Sequence, residues 1–186
     1  MTPALEAAYA QPHRSYHTRR HIEQCLALLD QVDDLMDSER RVLTWAIWWH
    51  DAVYDPTASD NEARSAELAR LDLRDLGATI HEREEVARLI RLTAVHAVEP
   101  EDRLGEILVS IDLAILGARP AAYDQYVEEV RAEYVHVPHD AWRQGRARVL
   151  RHFLEAPVLY PDPDLRARLE TQARANLARE LAALGA

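Results

Sequence analysis

Apolar residues along this chain recur at helical spacing, and the strict alternation of a half-buried strand is hard to find. Ile22, Cys25, Leu26, Leu29 and Val32 lie on one face of a segment from Thr18 to about Leu35. Ser38 reads as the N-cap of a second helix reaching about Asp51. Pro56 interrupts the loop that follows, and a third helix is expected from about Asn61 to Leu76, stopped by Gly77. The pattern resumes at Thr79 or Ile80 and continues to about Val95. Pro100 then opens a helix toward Ile115. Arg119 to Val135, Pro138 to Glu155 and Asp164 to Leu184 complete the set, divided by Gly117, Pro138 and the Pro157 to Pro163 loop. The prediction is an all-α protein. Its 186 residues suit one compact domain, 1–186, built as a helical bundle.

Polar residues in apolar places point to chemistry. His50-Asp51 ends the apolar run Trp45-Ala46-Ile47-Trp48-Trp49, where a helix should be buried. A buried carboxylate or imidazole needs a hydrogen bond, an ion pair or a metal. His139-Asp140 is the internal comparison: it follows Pro138 and precedes a helical pattern beginning at Ala141, so Asp140 reads as an ordinary N-cap. His17 and His21 would share a helix face if their segment is helical. Asp112 interrupts Ile107-Leu108-Val109-Ser110-Ile111 and Leu113-Ala114-Ile115-Leu116, a stretch too apolar for solvated decoration. A helix cap or an arginine partner is the structural alternative there.

The order His21, His50-Asp51, Asp112 resembles the signature of the HD superfamily. Around it, Tyr16-His17-x-x-x-His21-Ile22, His50-Asp51-Ala52-Val53-Tyr54-Asp55-Pro56, Asn61-Glu62-x-x-Ser65-Ala66, Asp112-Leu113-Ala114-Ile115-Leu116-Gly117 and Tyr123-x-x-Tyr126-x-x-x-Val130-Arg131-x-Glu133-Tyr134 are similar to the predicted metal-dependent HD phosphohydrolases of bacteria. The resemblance implies an HD-type bundle with His21, His50, Asp51 and Asp112 as metal ligands. Cyclic nucleotide phosphodiesterases, a related architecture, begin their site with a similar Tyr-His-Asn-x-x-His, where the first His donates a proton and the second binds metal. By that likeness His17 is the proton donor, although Thr18 stands where that group has Asn. Several HD proteins hold two metals with histidines from the middle region. His96, after Leu89-Ile90-Leu92-Val95, is the better candidate for such a role, while His81, in a charged stretch, is expected at the surface.

Two imidazoles and two carboxylates without thiolate suit a divalent ion such as Mn, Fe, Co, Ni, Zn or Mg. The expected reaction is metal-dependent hydrolysis of a phosphate ester by an activated water, with a small nucleotide as the leading substrate. Asp51 sits at the catalytic ion in that scheme, and Asp55 and Glu62 are candidates to orient a ligand or the water, each with a loop or cap role as the competing explanation. Arg20, Tyr54, His96 and Arg131 are the candidate substrate contacts. Tyr123, Tyr126 and Tyr134 either face the pocket or form a core stripe. Two other classes are carried alongside: a di-iron HD-type oxygenase and a regulatory module that binds a nucleotide without cleaving it.

Composition narrows partners more than chemistry. The net charge of −10 disfavours extended nucleic acid, while small phosphorylated substrates stay in play. Every basic side chain apart from histidine is arginine; Arg14, Arg19 and Arg20 bracket the histidine pair, and one of the three is expected to reach substrate. The only cysteine, Cys25, falls on the apolar face of its helix and reads as a buried thiol rather than a nucleophile. No signal-like segment and no apolar run near the ~20 residues of a membrane span is evident, so the expected location is the cytoplasm. The sequence leaves a homo-oligomer open.

Overall fold

The computed structural model of the chain describes residues 2–185. Among them, nine α-helices and no strand are found: α1 (Pro3–Tyr9), α2 (Arg19–Leu29), α3 (Asp37–Trp49), α4 (Asn61–Asp75), α5 (Ile80–Leu92), α6 (Arg103–Asp112), α7 (Pro120–Glu133), α8 (His139–Glu155) and α9 (Pro163–Ala183). The all-α expectation holds. The chain divides into two compact units, Met1–Asp112 and Leu113–Ala186.

In the first unit α4 and α5 form an antiparallel pair joined at Gly77, whose φ of +83° is a left-handed turn that favours glycine. Ala66 and Ala69 on α4 let the helices approach closely, and α3 packs on both. Ile22 and Leu29 of α2, Leu43 and Ile47 of α3, Leu73 of α4, Leu89 and Ile90 of α5, and Ile107, Leu108 and Ile111 of α6 are the large buried side chains. These are mostly the periodic apolar positions of the sequence, so the pattern that predicted helices also names the core.

Several ends move for identifiable reasons. α2 stops at Leu29 rather than near Leu35, because Arg40 captures the carbonyls of Leu29 and Val32 at 2.9 and 2.6 Å, and Asp34 turns left-handed at φ +58°. α3 is capped at Met36, not Ser38: the Glu39 carboxylate reaches back 2.9 Å to accept from the Met36 N–H. Thr79 and Glu82 form the reciprocal capping pair that starts α5 as expected. α6 begins at Arg103 rather than Pro100, since Asp102 caps it by accepting from the Gly105 N–H at 3.1 Å. It ends at Asp112, and a short 3₁₀ turn, Leu113–Gly117, follows instead of more α-helix. α8 starts at His139, with the Pro138 carbonyl accepting from Trp142 N at 2.9 Å. Asp140 therefore lies inside the first turn and is not the N-cap. α1, capped by the Thr2 hydroxyl on the Leu5 N–H, was not expected from the sequence.

The second unit is held by buried polar groups as well as by leucines. Arg146 binds Glu180 through two hydrogen bonds of 2.7 and 3.0 Å, and Tyr123 donates to the same carboxylate at 2.5 Å. Asn176 donates to the carbonyls of Leu116 and Ala118, both at 2.8 Å, tying α9 to the 3₁₀ turn. Tyr123 is thus a core residue of this unit. No described helix is long and apolar enough to cross a membrane.

Candidate metal centre

Three helices of the first unit bring the proposed ligands together at their ends. His21 lies in the first turn of α2, His50 is the C-cap of α3 with Asp51 beside it, and Asp112 is the last residue of α6. α2 and α6 pack against one another and both meet α3, so residues 29 and 91 positions apart from His21 become neighbours. His21 and His50 are buried, and the side chains of Asp51 and Asp112 are 16% and 15% exposed.

The ligand atoms converge on one volume. The two Nε2 atoms of His21 and His50 are 3.2 Å apart. Asp51 Oδ2 is 3.1 Å from His50 Nε2 and 3.8 Å from His21 Nε2. Asp112 Oδ1 stands 3.2 and 3.4 Å from the same two nitrogens. Donor atoms bound at about 2.1 Å to a common ion sit roughly 3.0 Å apart at a right angle and 3.4 Å apart at a tetrahedral angle. The observed spacings fall in and slightly above that range. The His21–His50–Asp51 group is close enough to hold a metal ion; Asp112 stands outside that three-residue group, although its Oδ1 faces both imidazole nitrogens.

Hydrogen bonding points the same way. His50 Nδ1 donates to the Ile47 carbonyl at 2.8 Å, so in the neutral ring Nε2 presents its lone pair to the shared volume. Tyr16 Oη lies 3.1 Å from His21 Nδ1 and fixes that ring in turn. Asp51 Oδ2 is buried, and its polar neighbours are the ring nitrogens of His50 at 3.1 Å and His21 at 3.8 Å. Burial opposes a charge on His50, yet Asp51 and Asp112 outweigh it and push its pKa well above the usual imidazole value. Burial likewise opposes ionisation of Asp112, and His50 with hydrogen bonds from His21 and His96 overrides it, holding the carboxyl well below the usual range. Asp51 is lowered in the same way, against burial, by His50 and His17. In the absence of an ion, the His50 imidazolium supplies the positive charge that keeps both carboxyls low, at the position a bound cation would share.

The remaining candidates separate into those near the group and those with other work. His17 is not helical; it sits in the turn before α2, its ring stacked 4.2 Å from Tyr54 and 6.3 Å from His21. The two histidines adjoin without sharing a helix face. His96 Nε2 lies 3.2 Å from Asp112 Oδ2, on the far side of that carboxylate, and its backbone is left-handed at φ +53°. Asp55 Oδ1 accepts from the Thr57 N–H and hydroxyl at 2.8 and 2.7 Å, which lowers its pKa and gives it a loop-anchoring role. Glu62 is half-buried in the first turn of α4, and neither it nor Asp55 belongs to the metal-capable group. Arg20 is exposed on α2, and His81 is exposed on α5 as expected. Arg131, in the second unit, donates to the carbonyls of Tyr134 and Val137 at 2.5 and 3.1 Å and covers the Trp142 ring.

Two residues gain roles the sequence did not assign. Arg14, grouped with phosphate-binding candidates, is buried and donates to backbone carbonyls instead. Tyr16 was part of a motif, but its hydrogen bond to His21 had no periodic signal because the segment before α2 is irregular. Cys25 is buried with Sγ 3.8 Å from His21; burial, then the charges of Asp112 and Asp51, push its pKa up and keep the thiol protonated. His139 and Asp140, the comparison pair, are 75% and 85% exposed. Set against protein-family models, curated proteins and solved structures, the chain gives no match in any of the three.

Proposed function

We propose that His21, His50, Asp51 and Asp112 bind a divalent metal ion and that the protein is a metal-dependent phosphohydrolase acting on a small phosphate ester, with a nucleotide as the leading substrate class. The observation that carries the reading is the convergence of the His21 and His50 imidazole nitrogens with the Asp51 carboxylate, with Asp112 Oδ1 within 3.4 Å of both nitrogens. Borderline or hard divalent ions match this donor set of nitrogen and oxygen. The resemblance to HD phosphohydrolases supplies the reaction class.

A bound divalent ion contributes Lewis acidity toward a phosphoryl oxygen and activation of a water at neutral pH. The chain's own residues supply the rest. His50 is held by Ile47 and His21 by Tyr16, so both rings are aimed before any ion arrives. His17, stacked on Tyr54, is the proton donor to the leaving oxygen in this reading. The net charge of −10 disfavours a long polyanion and leaves a small phosphorylated molecule as the substrate class.

The test is an activity screen crossing divalent metals with nucleotides and phosphomonoesters, run beside Asp51→Ala. Metal-dependent phosphate release that vanishes in that variant is the expected result. A two-iron oxygenase is the second reading, favoured by His96 standing beyond the other oxygen of Asp112. Two irons per chain with oxygen uptake coupled to oxidation of an organic substrate would replace the phosphohydrolase proposal.

A further inference from the structure

Arg14 is buried, and its guanidinium serves the backbone of the residues around it. Nη1 donates to the carbonyl of His17 at 2.9 Å and to the carbonyl of Asp51 at 2.8 Å, while Nη2 donates to Ala52 at 3.1 Å. Nε completes the arrangement with Gln11 Oε1 at 3.2 Å. The group lies between the rings of Tyr9 and Tyr54, at 5.1 and 5.4 Å. Tyr54 is the ring on which His17 stacks, and Tyr9 donates to the Trp48 carbonyl at 2.9 Å, next to the end of α3.

One planar group therefore spans two chain segments that are otherwise far apart in sequence. On one side is the irregular turn that carries His17; on the other is the carboxyl end of α3, with Asp51 and the residue after it. We infer that Arg14 is a positioning residue, which fixes His17 relative to Asp51 through their backbones and orients the ring that buttresses His17. A lysine cannot do this, because an ammonium is a point charge without the planar fork that reaches carbonyls on both segments. The inference rests on the metal-site reading for its consequences, since its readout is the geometry of Asp51.

The experiment compares the full-length protein with Arg14→Ala, Arg14→Lys and Gln11→Ala, measuring Co²⁺ affinity, the visible spectrum of the Co²⁺-loaded protein and Mn²⁺-dependent turnover of p-nitrophenyl phosphate. Loss of residues that orient metal ligands costs about 10- to 100-fold in metal affinity or activity. Arg14→Ala should fall in that range with an altered Co²⁺ spectrum, and guanidinium ion at low millimolar concentration should restore part of the loss. Arg14→Lys should keep the helical circular dichroism and still lose affinity, whereas Gln11→Ala, which removes only the Nε acceptor, should bind like the parent. Parental affinity and spectrum in a folded Arg14→Lys would overturn the positioning role. If Arg14→Ala fails to fold, the Co²⁺ affinity and spectrum of Arg14→Lys decide alone. Absence of turnover by the parent protein across the nucleotides and phosphomonoesters of the screen, with Co²⁺ bound tightly and lost in Arg14→Lys, would reject the phosphohydrolase reading while upholding this one.

Discussion

The sharpest expectation concerns how metal and protons compete for the same nitrogen. In the metal-free group His50 has a raised pKa, so at neutral pH a proton occupies the side of the ring that an ion needs. Because the folded pKa lies above the unfolded one, that proton's contribution to stability is fully present below about pH 6.5 and is lost as pH rises through the folded value. The metal increment runs the opposite way. Below the His50 pKa each pH unit weakens metal binding about tenfold, or about 1.4 kcal/mol. Metal at a hundred times its dissociation constant stabilises by about 2.7 kcal/mol. For a chain of this size that is a rise in Tm of roughly 5 to 11 °C, since 1 kcal/mol is about 2 to 4 °C. Scanning calorimetry with Mn²⁺, Co²⁺ or Zn²⁺ against a chelated sample, between about pH 6 and 8, measures both trends. The gap between the two melting curves should widen as pH rises, and it should collapse in His50→Ala and Asp112→Ala. A gap that is flat with pH, or that survives in both variants, refutes the assignment of these atoms as ligands.

Other perturbations test the fold and the division of labour around the site. His17→Ala should keep its metal, read by elemental analysis, while turnover falls about 10²-fold, and the loss should shrink for an aryl phosphate whose leaving group needs no proton; His21→Ala should lose metal and activity together. Asp140→Ala should change the urea midpoint by no more than about 0.5 kcal/mol, because the residue is 85% exposed and caps nothing. Arg146→Met should cost about 3 to 5 kcal/mol in urea unfolding, since it strands the buried Glu180. Gly105→Ala should cost about 1 to 3 kcal/mol, as a Cβ there meets Asp102 Oδ2 at 2.4 Å and Leu92 Cδ1 at 2.9 Å.

How much of this was legible before folding depends on whether the determining interaction is local. Ile22, Cys25 and Leu29 were readable as one face of α2 because helical geometry alone brings them together. Thr79 and Glu82 were readable for the same reason, both atoms of that cap lying within one turn. The end of α2 was not, because it is set by Arg40, a residue on the next helix. Asp140 shows the reverse failure: a good capping residue stands in a local pattern, but Pro138 already supplies the entry conformation and the first helical carbonyl.

At the site, the same distinction separates ligands from the groups that hold them. His50, Asp51 and Asp112 announced themselves because charge inside an apolar run is improbable without a partner, and the partners proved to be one another and His21. Arg14 carried no such mark. An arginine beside histidines reads as a phosphate contact, and only the folded chain reveals that its donors go to His17, Asp51 and Ala52. Its burial follows from those carbonyls: each lies in irregular chain or past a helix end, where no i→i−4 partner is available. A site assembled from helix termini exposes unsatisfied backbone next to its ligands, and a guanidinium with several directed donors is the side chain best suited to close that gap. The proposed ligands and the arginine that holds the backbones of His17, Asp51 and Ala52 are thus consequences of one choice, placing the site where helices end.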